Sequence, residues 1–107
     1  MTLSDIHKEL IRGEYVCHEF PSLVVHFLPG GTLRVYGERK QPFVHSYTVI
    51  HRGDQWFMDT TPHLLNEPAE MEMFMMENHL TLKSSIIDDQ NNSKEELHFS
   101  KIKIKPY

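Results

Sequence analysis

Between positions 23 and 37 the chain reads Leu23-Val24-Val25-His26-Phe27-Leu28-Pro29-Gly30-Gly31-Thr32-Leu33-Arg34-Val35-Tyr36-Gly37. Two runs rich in β-branched and aromatic residues flank Pro-Gly-Gly, which supplies one fixed φ and two residues tolerant of φ > 0. That pattern is a β-hairpin. Leu23, Val25 and Phe27 share one face before the turn, and Leu33 and Val35 share a face after it.

Moving outward, the period of two recurs on both sides. Residues 14–20 place Tyr15 and Cys17 on one side and Val16, His18 and Phe20 on the other, and Pro21 ends the run. Residues 43–51 align Phe43, His45, Tyr47, Val49 and His51, and Gly53-Asp54 then turns the chain into Trp56-Phe57-Met58. Met71, Met73 and Met75 alternate with Glu70, Glu72 and Phe74, Asn78-His79 reads as a turn, and Leu80, Leu82, Ser84 and Ile86 follow on one face. The last strand spans about 95–104, with Leu97 and Phe99 on one face and Ile102 and Ile104 on the other, a phase slip that predicts a bulge near Ser100-Lys101.

Only residues 3–12 follow the helical period. Ser4 is the expected N-cap, Asp5 suits the first turn, Ile6 and Leu10 stack at i, i+4 beside Leu3 and Ile11, and Gly13 follows the end. Three helical turns are marginal alone in water, so Ile6 and Leu10 must be buried against the strands. The expected fold is all-β: a small up-and-down antiparallel β-barrel of about eight strands, with one N-terminal helix capping an end. Closure pairs the first strand with the last and removes two exposed edges. Domain organisation follows as a single unit over 1–107, with helix over 3–12 and strands over 14–104.

The chain has 107 residues, a formal net charge of −4 and a pI near 6.0, which leaves no basic field for a phosphate backbone, so nucleic acid is not an expected partner. Cys17 is the one cysteine, excluding an internal disulfide, and reads as a buried inert thiol. The opening residues lack a secretory apolar core and no run is long enough to span a bilayer, so the expected location is cytoplasmic, without membrane contact. The eight histidines show no His-x-His or His-x-x-x-His spacing. A site from His18 with His26, or His45 with His51, is geometrically conceivable, but the pattern reads as dispersed, partly exposed residues. The acids of 88–93 lack the glycine of a calcium loop and read as a solvated turn, and Glu67, Glu70, Glu72 and Glu77 read as an outer face. No catalytic, cofactor or metal signature emerges, so the chain is not expected to be an enzyme.

The helix, then Leu10-Ile11-Arg12-Gly13-Glu14-Tyr15, Val25-His26-Phe27-Leu28-Pro29-Gly30-Gly31-Thr32-Leu33, Ser46-Tyr47-Thr48-Val49, Leu80-Thr81-Leu82-Lys83 and Leu97-His98-Phe99-Ser100-Lys101-Ile102 together resemble the compact bacterial lipocalin-like proteins of the calycin group. Tyr15 stands where that family carries the tryptophan that plugs the barrel floor. The resemblance implies a small apolar ligand held in the barrel, and it transfers no binding residue.

The residues themselves supply a candidate ligand set: Tyr47, Trp56, Met58, Met71 and Met73 as wall, with Leu64 and Leu65, on the irregular stretch 60–68, as a lid. Large inward residues equally suit a filled core, and Leu64-Leu65 equally suits packing on the outside of it. The competing function is a ligand-free scaffold that binds a protein partner or a second copy of itself.

Overall fold

The computed structural model describes residues 2–37, 42–65 and 70–104, with the side chains of Lys103 and Ile104 excepted. In chain order these form α1 (Leu3–Ile11), β1 (Gly13–Cys17), β2 (Val24–Leu28), β3 (Thr32–Tyr36), β4 (Phe43–Arg52), β5 (Gln55–Thr61), β6 (Met71–Met76), β7 (His79–Ser84) and β8 (Glu96–Ile104). Each strand pairs antiparallel with its sequence neighbours, and β1 pairs β8, closing the barrel.

The alternation read from the sequence sorts the side chains as expected. Tyr15, Cys17, Val25, Phe27, Leu33, Tyr47, Val49, Met58, Met71, Met73, Leu80, Leu82, Leu97 and Phe99 all point into one core. Ile6 and Leu10 of α1 enter it from one end. Tyr15, Phe27 and Tyr47 meet edge-to-face, with ring centroids 5.8 Å and 5.2 Å apart, so β1, β2 and β4 share one aromatic cluster.

The N-cap of α1 is Thr2, not Ser4, and the helix ends at Ile11 with Arg12 as C-cap. The reason is local: with Thr2 as cap, Asp5 occupies N3, its carboxylate accepts from Thr2 N at 2.9 Å and Thr2 Oγ1 accepts from Asp5 N at 3.2 Å. A cap at Ser4 would put His7 there and lose the reciprocal bond. The Thr2 backbone N–H also holds the Asp5 carboxyl below its ordinary pKa.

Other boundaries shift as well. β1 stops at Cys17, leaving His18 to Phe20 outside the ladder, and Leu23 precedes β2. β5 runs on to Thr61, so the irregular stretch begins at Pro62, and its residues 66–68, Glu67 among them, lie outside the described residues. Phe43, expected inward, starts its strand exposed. The turn after β6 is 77–78, with Met76 opposite His79. Alternation alone permits either placement, but the Asn78 carbonyl accepts from Lys101 N at 2.7 Å, which pins that tip to β8.

The bulge is present. Tyr15 pairs Lys101 while Glu14 pairs Lys103, leaving Ile102 unmatched and exposed. The face expected for Ile104 lies outside the described side chains.

Three tight reversals, at 29–31, 53–54 and 77–78, fall at the end of the barrel where α1 packs. The longer connections at 18–23 and 85–95 fall at the opposite end. Gly30 and Gly31 take φ of +94° and +83°, and the Gly31 carbonyl accepts from Tyr47 N at 2.8 Å, fastening the hairpin tip to β4.

Candidate ligand site at the helix end

The candidate ligand residues do not gather in one place. Met58, Met71 and Leu65 are in the core, Leu64 packs half-buried against it, Tyr47 reaches one surface groove, and Trp56 and Met73 reach another. Leu64 is tied down rather than suspended, since its N–H donates to the hydroxyl of buried Thr60 at 3.1 Å. The barrel interior is occupied by its own side chains, with Met58, Leu33 and Leu82 each 0% exposed.

The first groove lies between α1 and the β2–β3 tip. His7 and Ile11 come from the helix, Pro29, Gly30 and Gly31 from the turn, and Tyr47 from β4, around a volume of about 400 Å³. That falls inside the usual ligand-pocket range of about 300–1,000 Å³. Tyr47 is held from below by Phe27, its hydroxyl donates to Leu28 O at 3.4 Å, and its ring lies 6.0 Å from that of His7. Burial raises the Tyr47 phenol above its ordinary pKa, so it stays neutral. A Cβ on Gly30 would meet nothing within 4 Å, whereas one on Gly31 would come within 3.2 Å of the Tyr47 carbonyl. The turn therefore presents open backbone to the groove.

Beside it the helix is locked. Lys101 points inward with its side chain 2% exposed, pairs with the Glu9 carboxylate, and lies 5.5 Å above the Tyr15 ring. Tyr15 donates its hydroxyl to Glu9 O at 3.1 Å, and burial raises its phenol strongly. Tyr15 thus ties the start of β1 to the last turn of α1.

The second groove, about 260 Å³, runs between β5 and β6 and is lined by Asp54, Gln55, Trp56, Glu72, Met73, Phe74, Met75 and Met76. Trp56 stacks on His51 with centroids 4.0 Å apart and planes 4° from parallel.

The chain matches no family model, no curated protein and no solved structure. Its closed eight-stranded antiparallel barrel with one N-terminal helix is compatible with a calycin-like fold. No helix among the described residues is long and apolar enough to cross a membrane.

The histidines sort differently from the pairs suggested by sequence. His18 meets His79 through Ser100, whose hydroxyl is 2.5 Å from His18 Nε2 and 3.3 Å from His79 Nδ1. His26 is buried on β2, and His45 Nδ1 lies 2.6 Å from Pro62 O. Among the described residues no three metal-ligating side chains converge. Burial raises the Glu19 carboxyl, but the His98 backbone N–H and ring, each 2.7 Å away, outweigh it and hold Glu19 below its ordinary pKa. Cys17 is fully buried, and burial raises its thiol.

Sequence reasoning missed His7, Ile11 and Pro29 as groove residues. Each was read correctly for its own element, and their convergence depends on how α1 crosses the barrel end. The inward Lys101 had a usable signal, because the phase slip at Ser100-Lys101 marks where alternation continues inward for one more residue.

Proposed function

We propose that this chain is a compact, cytoplasmic lipocalin-like binding protein, of the bacterial kind its sequence resembles, that takes one small, mainly apolar molecule between α1 and the β2–β3 hairpin. The reading rests on the groove of about 400 Å³ with Tyr47 as floor and Ile11 and Pro29 as walls. A filled interior moves the binding position from the barrel centre to its rim. The His7 imidazole and the open backbone at Gly30 supply the polar contacts that would orient one polar end of the ligand.

The test is titration with a fluorescent anilinonaphthalene probe and a panel of medium-chain fatty acids, followed by backbone amide shifts. Saturable binding with shifts at His7, Ile11, Gly30 and Gly31 is expected. Ile11→Glu should weaken it about tenfold or more, the cost of placing a charge in an apolar wall, while Trp56→Phe leaves it unchanged. Absence of saturable binding across the panel, or shifts confined to Trp56 and β6, overturns the reading.

A further inference from the structure

The β5–β6 ladder joins 56–58 to 71–73 and stops there, with Trp56 opposite Met73. β6 continues through Phe74, Met75 and Met76, which pair with β7 on one side only among the described residues. The second groove lies along this stretch. Its lining takes consecutive residues 72–76 from β6, which alternate between the two faces of the sheet, together with Asp54 from the turn and Gln55 and Trp56 from the start of β5. A pocket on one face of a sheet collects alternate residues; a lining of consecutive ones is a notch in the plane of the sheet. An unmatched backbone edge in such a notch is a template for one more strand.

Two features say what kind of strand fits. Trp56, Met73 and Met75 offer apolar surface toward the barrel, while Phe74 and Met76 are 42% and 75% exposed on the outside. Methionine and tryptophan accommodate varied apolar side chains. Charge supplies the second feature: Asp54 and Glu72 line the notch, and Glu77 follows at the turn. The two neighbouring cations are already paired with acids outside the notch: Arg52 with Glu70, lying over the Phe57 ring, and Lys83, opposite Glu72 on β7, with Glu96, lying over the Phe74 ring. A second copy of the chain would bring the same acids against themselves.

We propose that the notch between β5 and β6 is a strand-addition site for an extended segment of a partner protein in which apolar residues alternate with basic ones. The segment pairs its backbone with residues 74–76, about 10 Å of strand, and sets its basic side chains against Asp54 and Glu72.

The experiment titrates the whole protein with a synthetic heptapeptide alternating valine with lysine, following Trp56 emission and backbone amide shifts. Saturable binding is expected, with shifts confined to 54–56 and 74–76. Glutamate in place of lysine, or N-methylation of the peptide's pairing amides, should abolish it, and Asp54→Lys should weaken it about fivefold with the near-ultraviolet circular dichroism unchanged. Equal binding of the glutamate or N-methylated peptide, no binding, or shifts outside the notch would each overturn the proposal. Sedimentation showing a dimer that Phe74→Asp disperses would also overturn it, in favour of self-pairing.

Discussion

Lys101 carries a positive charge in among mainly apolar side chains, and the Glu9 carboxylate and carbonyl compensate it. An isolated buried ammonium is costly, whereas one that pairs with a carboxylate and lies over an aromatic ring replaces much of its lost hydration. The pair also places a cation near the C-terminal end of α1, where the helix dipole favours it. Lys101→Met keeps the hydrocarbon stem and removes the charge. Glu9 is 32% exposed and can recover water, so the expected loss is about 1–3 kcal/mol by urea unfolding, below that for stranding a fully buried partner. Glu9→Gln should show a comparable loss, and the double variant should lose less than the sum.

The hairpin periods of the strands were legible because alternation is a backbone property, and burial in the core confirms them from Tyr15 to Phe99. Helix α1 shows the limit of that legibility. Both Thr2 and Ser4 are good capping residues, and the choice falls to the one with a carboxylate three positions on. Thr2→Ala should lower stability by about 1 kcal/mol, whereas Ser4→Ala should change it little; thermal unfolding followed by far-ultraviolet circular dichroism separates them. The candidate ligand residues show a different limit. Alternation assigns Met58 and Met71 to the inside of the wall, yet whether the inside is hollow depends on how eight facing rows interlock, which no single row encodes. The groove at α1 was illegible for the same reason, because it forms where the 29–31 turn, β4 and the helix converge.

At the scale of the whole barrel, closure depends on its weakest seam. β4 and β5 pair from Ser46–Thr61 to Arg52–Gln55, while β5 and β6 pair only over 56–58 and 71–73. The β1–β2 ladder is equally short but has α1 packed against both of its strands, so local opening is expected at β5–β6, and amide hydrogens of 71–73 facing β5 should exchange faster than those joining β4 to β5, read by native-state hydrogen exchange. If the β1–β8 seam exchanged first instead, the barrel would be opening at its termini. The two ends of the cylinder also differ in build. Both grooves lie at the end of the barrel with the tight reversals, one of them against α1, while the far end carries the polar 88–93 loop, folded on itself by the Asp88 carboxylate accepting from Gln90 and Asn92 backbone amides at 2.9 Å and 3.0 Å. An affinity handle or fluorophore spliced into that loop would therefore anchor the molecule by its back, leaving the receptive end turned toward whatever is offered to it.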